Sequence, residues 1–187
     1  NGADIYNGGI VSNYGKIYGS NFDLSSEPTG IGIKVVSGAV AIENHDIVEG
    51  NGEGIWLGSG VLTNYSTGSV SSTGADTTGV YASGGTINNF GIITCGPGAG
   101  SAGVLMYNST LTNDGTIDGK DGRGVTNTLV GTVNNNGMIR GAVGVSLNSS
   151  TAGVATLFNN ATGVIDATSE GVSIYAGEAV IDNSGSI

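Results

Sequence analysis

Along this chain apolar residues alternate with polar or small ones in short runs, and each run stops at Gly or Asn. VLTN (Val61–Asn64), TINN (Thr86–Asn89), TLTN (Thr110–Asn113) and TVNN (Thr132–Asn135) are four such runs in one rhythm. Alternation with a period of two marks strands that bury one face. No stretch holds the i, i+3, i+4 spacing of an amphipathic helix for about 12 residues without a glycine interrupting it. The pattern therefore predicts many short strands and no helix.

The runs recur as whole phrases. TLTNDGTIDG (Thr110–Gly119) is followed by TVNNNGMIRG (Thr132–Gly141) and preceded by TINNFGIITC (Thr86–Cys95). Aligned on its asparagine, the phrase gives a column of Asn13, Asn44, Asn64, Asn89, Asn113, Asn135, Asn159 and Asn183, at intervals of 20 to 31 residues. Two residues earlier stands an aliphatic in every copy: Val11, Ile42, Leu62, Ile87, Leu111, Val133, Leu157, Ile181. A second aliphatic column follows the anchor, read as Ile17, Ile47, Val70, Ile93, Ile117, Ile139, Ile165 and Ile187. A Gly–apolar–x–residue motif completes each copy, from GIKV at Gly32 and GIWL at Gly54 to GVSL at Gly144 and GVSI at Gly171.

Three short alternating segments per repeat describe one coil of an all-β solenoid. Each strand pairs in parallel with its counterpart in the next coil, and the rest of the coil supplies the crossover. The expectation is a single domain over 1–187, of about 7–8 coils of 20–31 residues with three strands each, reading as a segment of a longer rod. At about 4.8 Å per coil, seven coils make a rod roughly 35 Å long. Two longer repeats predict loops near 20–30 and 148–155, and insertions of this kind project from the rod.

Composition agrees with this picture. Thirty-six of 187 residues are glycine, against an average near ~7%. Yet there is no Gly-X-Y period and only two prolines, so collagen and Pro-rich disorder are excluded. Gly and Asn are expected to supply positive-φ turns. Fifteen acids against five bases give a net charge of −10, which disfavours nucleic acid and anionic membranes as partners. No apolar run reaches the about 18 residues of a membrane span. The single Cys95 cannot form an internal disulfide.

The repeated N-x-G-x-I-x-G followed by G-V resembles the passenger region of bacterial autotransporters and related secreted surface adhesins. The resemblance implies a right-handed parallel β-helix at an extracellular, cell-surface location, with adhesion as the usual role. The rhythm covers nearly the whole chain, from Gly2 to Ile187. It speaks to architecture rather than to a ligand.

In a solenoid, equivalent positions become neighbours, so chemistry is sought down columns. Stacked asparagines form a hydrogen-bonded ladder, which is a structural role. The next column carries Tyr14, His45, Tyr65 and Phe90 before turning to Asp114, Asn136, Asn160 and Ser184. The outward position of the glycine motif carries Asp4, Lys34, Trp56, Tyr81, Leu105, Thr126, Ser146 and Ser173. Trp56, Tyr81 and Leu105 are expected to form an exposed apolar strip, and such strips serve interaction; ladder packing or cover by an inserted loop would also suit them. Tyr14, Tyr65 and Phe90 join them as candidate partner-binding residues, since aromatic rows hold sugars or protein chains.

Catalytic and metal chemistry find little support. Asp118, Arg140 and Asp166 share one column, where the intervening arginine makes a surface charge ladder rather than a paired-carboxylate site. DGKDGRG (Asp118–Gly124) lacks the alternating acids and closing glutamate of a calcium loop. Glu43, Asp46, Glu49 and Glu53 read as a solvated acidic patch, although they could hold a cation weakly. His45 and Cys95 are each unique, so no zinc set or Cys–His dyad is expected. GPGAG (Gly96–Gly100) lacks the Lys-Ser/Thr of a phosphate loop, and no cofactor is expected. The sequons at Asn64, Asn108, Asn148 and Asn160 match chance in so Asn-rich a chain.

The leading expectation is a non-enzymatic structural rod presenting an adhesive surface to a host or neighbouring-cell protein or glycan. Its rival is a filament subunit, because strand edges at both ends invite end-to-end self-association. Two weaker readings are a polysaccharide-active β-helix enzyme and an ice-binding face built on Thr86, Thr110, Thr132 and Thr156.

Overall fold

The computed structural model describes residues 1–20, 30–149 and 153–187. Among these there is no helix, as the alternation predicts. The first turn is β1 (Ala3–Ile5), β2 (Gly9–Asn13) and β3 (Lys16–Gly19); the second is β4 (Ile33–Val35), β5 (Val40–Asn44) and β6 (Ile47–Gly50). The third is β7 (Ile55–Leu57), β8 (Gly60–Asn64) and β9 (Ser69–Ser72), and the fourth β10 (Thr78–Ala82), β11 (Gly85–Asn89) and β12 (Ile92–Thr94). The fifth is β13 (Ala102–Tyr107), β14 (Ser109–Asn113) and β15 (Thr116–Asp118). The sixth opens with β16 (Arg123–Thr128) and β17 (Gly131–Asn135) and ends in β18 (Met138–Asn148). Then follow β19 (Val154–Asn159), β20 (Val164–Ala176) and β21 (Glu178–Asn183).

Every strand from β1 to β15 pairs in parallel with the strand three places on, and β16 to β19 each pair with the strand two places on, so the chain is a β-solenoid with three faces. The second face is a sheet of eight strands from β2 to β21. The first and third faces join into one thirteen-stranded sheet, because β18 and β20 each run from the third face around into the first. That merging brings the count of separate three-strand turns to six, slightly below the seven to eight expected. Its cause is local: MIRGAVGV carries no inserted loop between its two halves, and the corner is taken by a register shift between Gly141 and Val143. The loop expected near 20–30 falls mostly on residues 21–29, and the one near 148–155 includes 150–152; both sets lie outside the described residues.

The core is a set of stacked columns. Ile55, Val80, Val104, Val125 and Val145 face inward from the first face, Leu62, Ile87, Leu111, Val133 and Leu157 from the second, and Val70, Ile93, Ile117 and Ile139 from the third; all are fully buried. Each such side chain contributes about 1.5–3 kcal/mol by leaving water. One expected column member is corrected. Ile47 pairs with Lys16 and Ser69 and is only partly buried, whereas Val48 pairs with Ile17 and Val70 and is fully buried. Pleat parity decides this, since a shift of one residue sends a side chain to the other face.

The repeated glycines serve closeness more than turn handedness. At Gly54, Gly79, Gly103 and Gly124 an added Cβ would lie 2.6–2.7 Å from the carbonyl oxygen of the matching glycine one turn on. At Gly91, Gly115 and Gly137, next to the asparagine corner, it would lie 2.2 Å from the matching glycine carbonyl one turn back. Positive φ, expected of the turns generally, is concentrated where the first face meets the second, at Gly8, Gly38, Gly60 and Gly84 among others.

Candidate functional site

The asparagine column forms an unbroken chain. From Asn13 to Asn183 each side-chain Nδ2 donates to Oδ1 of the next asparagine, in seven bonds of 2.7–2.9 Å. The same Nδ2 atoms donate to the carbonyls of Ile47, Ser69, Ile92, Thr116, Met138, Val164 and Ser186, at 3.0–3.4 Å. Both amide hydrogens thus have a partner, and the ladder staples the second face to the third. All the amide dipoles point the same way along the rod, so neighbouring bonds polarise one another. Asn64 is buried within it, so its sequon is closed to modification.

One residue further on, the rings emerge. Tyr14 and His45 stack at 4.5 Å and His45 and Tyr65 at 4.0 Å, each pair within 9° of parallel. The outer face of this stack is open, with Tyr14 73% exposed. Phe90 occupies the same column and is exposed, but makes no ring contact among the described residues.

The outward column of the first face lies in the expected register, Lys34–Trp56–Tyr81–Leu105–Thr126–Ser146–Ser173. Its exposure differs from expectation. Trp56, Tyr81 and Leu105 are only part-exposed, and the two rings lie against each other. Lys34 Nζ sits 5.1 Å above the Trp56 ring, Trp56 meets Tyr81 at 4.7 Å, and Tyr81 meets Tyr107 at 5.7 Å, with ring tilts of 49° and 47°. Tyr107 is the member that sequence reasoning missed. It lies two residues past Leu105 on β13, where alternation puts it on the same outward face, and it reaches Tyr81 along the diagonal. Burial pushes the Tyr81 phenol up from its ordinary value, with Tyr107 and Glu53 adding to the shift.

The remaining candidates disperse. Arg140 pairs with Asp118 at 3.1 Å, with Asp166 next in the same column. Asp118 also accepts from the Lys120 backbone N–H, which makes DGKDGRG a turn. The acidic patch divides among faces: Glu43 accepts from Ser12 on the second, and Glu49 from Ser71 on the third. No group of three His, Cys, Asp or Glu among the described residues could hold a metal ion. Cys95 is buried, and that burial pushes its thiol up from its ordinary value. Thr86, Thr110, Thr132 and Thr156 do align on the second face, beside a partner column of Asn88, Thr112, Asn134 and Phe158.

No family model, curated protein or solved structure matches this chain. The geometry defines a β-solenoid repeat protein whose outward columns carry its variable chemistry.

Proposed function

We propose that this chain is a non-catalytic rod segment of an extracellular bacterial surface protein, and that its outward columns present an adhesive surface to a cell-surface protein or glycan. The observation carrying this reading is the division of labour between adjacent columns. The asparagine ladder and aliphatic columns supply stiffness without using any outward residue. Aromatic rings are therefore free to accumulate on the outside, in the Tyr14–His45–Tyr65 stack and the Trp56–Tyr81–Tyr107 row. Aromatic surface held at least partly open on a rigid scaffold suits recognition, because little side-chain freedom is lost on contact.

The test is adhesion of beads coated with the chain to epithelial and bacterial cells, comparing the parent with Tyr14→Ala/Tyr65→Ala and Trp56→Ala/Tyr81→Ala. Adhesion reduced by at least one pair supports the proposal. Parent beads that bind no cell type, or adhesion indifferent to both pairs, defeat it.

A further inference from the structure

On the first face the outward side chains change size abruptly along the rod. Tyr107 on β13 stands tall and is backed by Tyr81. Beside Tyr107 the next two strands present the short side chains of Thr126, Thr128, Ser146 and Asn148, with Arg123 at the start of β16, and Tyr175 on β20 rises again beyond them. The short side chains between tall walls make a trough, with a volume of about 430 Å³. That falls within the range of small-ligand sites, about 300–1,000 Å³. Three strand spacings separate the walls, about 14 Å, the length of a di- or trisaccharide.

The floor is polar and its hydrogen-bonding capacity is unused. Ser146 is only 2% exposed, yet its hydroxyl has no hydrogen-bond partner among the described residues. The side chains of Thr126, Thr128 and Asn148 likewise make no hydrogen bond there. Some outward hydroxyls elsewhere on the rod do bond to the adjacent turn, as Ser12 does to Glu43 and Thr67 to the His45 carbonyl. Arg123 lies in the trough with its guanidinium 5.9 Å from the centre of the Tyr175 ring. It makes no ion pair among the described residues, including with Glu170, which lies two strands away in register. An unpaired arginine held against an aromatic wall, in a chain of net charge −10, is suited to a ligand carboxylate, which its planar fork meets with two parallel hydrogen bonds.

We infer that the trough between Tyr107 and Tyr175 is a binding site for a carboxylate-bearing saccharide of two or three sugar units. The tyrosine walls take the apolar C–H faces of the sugar rings, the hydroxyl and amide floor takes the ring hydroxyls, and Arg123 takes the carboxylate. A peptide fits less well, because the floor has no apolar pocket for a side chain. The inference deepens the adhesion reading but does not depend on it, since binding is measured on the isolated chain.

Titration calorimetry of the 187-residue chain with trigalacturonate, 3′-sialyllactose, neutral lactose and tetraglutamate tests it, and the two acidic sugars separate a uronate from a sialate source. One acidic sugar is expected to bind at least about tenfold more tightly than lactose. Arg123→Gln should weaken that binding roughly 10- to 100-fold, and Tyr107→Ala or Tyr175→Ala roughly 3- to 10-fold. Thr126→Trp, which fills the trough without removing a core group, should abolish binding while leaving the melting temperature near that of the parent. Absence of binding by both acidic sugars overturns the inference, as does equal binding of lactose, full binding by Thr126→Trp, or binding of tetraglutamate alone. Cell adhesion without saccharide binding would leave the adhesion reading intact and sink this one.

Discussion

Asn89 and Asn127 are both fully buried in the same solenoid, one turn and a half apart, yet they sit in opposite situations. Asn89 is a rung. Its Nδ2 donates to Asn113 and to the Thr116 carbonyl, and its Oδ1 accepts from Asn64. Asn127 stands alone in a column otherwise made of Val35, Leu57, Ala82, Met106 and Leu147. Its Nδ2 donates to the Gly131 carbonyl at 2.9 Å, but its Oδ1 has no partner among the described residues. A buried amide is inexpensive where the repeat supplies the same amide above and below, and costly where it does not. Column membership, rather than residue type, sets the energetic sign.

The largest effect is expected of Asn89→Leu. It orphans the Asn64 amide hydrogen and the Asn113 oxygen inside the rod, so a loss of roughly 2–6 kcal/mol is expected, at about 1–3 per orphaned group. Urea denaturation measures it, and Asn183→Ala at the exposed end of the ladder should cost about 1 kcal/mol or less. Equal costs at both positions would mean that the ladder does not act as a ladder.

Gly91→Ala attacks the backbone under the same rung. The new Cβ would sit 2.2 Å from the Gly68 carbonyl oxygen and 2.3 Å from that of Tyr65. Overpacking of this kind costs roughly 1–3 kcal/mol, again readable from the denaturation midpoint.

Asn127→Leu should be nearly neutral, within about 1 kcal/mol. It removes an orphaned oxygen and restores the apolar column, but leaves the Gly131 carbonyl without its donor. A loss as large as that of Asn89→Leu would erase the distinction between the two asparagines.

The smallest effect is expected at Glu53, whose Oε2 is the other buried side-chain atom without a partner among the described residues. Burial raises its carboxyl above the ordinary value, against the opposing effects of its own backbone hydrogen bond and Lys34. The folded chain then holds that proton to higher pH than the unfolded chain does. Stability therefore falls as pH climbs from the ordinary carboxylate range through the raised value, and this contribution is flat above it. Glu53→Gln should remove that slope, so thermal melts across pH 3–8 should show the variant gaining on the parent through that window and holding the gain at neutral pH.

The repeat phrase made the ladder legible, because a polar residue recurring beside invariant aliphatics has to be buried with its own kind. The outward columns were legible from alternation, and Tyr107 could have been found the same way from GVLMY. Val48 was legible too: it stands two residues before Gly50, as Ile17 does before Gly19. Counting forward from NHDI pointed to Ile47 instead. The extent of burial at Trp56 and Tyr81 was not legible, since it depends on how far rings on adjacent strands tilt over one another. Nor was the trough, which is defined by the shortness of side chains on two strands relative to those flanking them.

The parallel solenoid, its three-strand period, the ladder and the register of nearly every column follow from the order of residues alone, because period-2 burial and repeat length are properties of the chain read in one dimension. Packing between turns settles where β18 and β20 run around a corner unbroken, which rings cover each other, and where the first face sinks between Tyr107 and Tyr175. Those features depend on the relative heights and tilts of side chains from strands that are 20 or more residues apart, and no single repeat contains them.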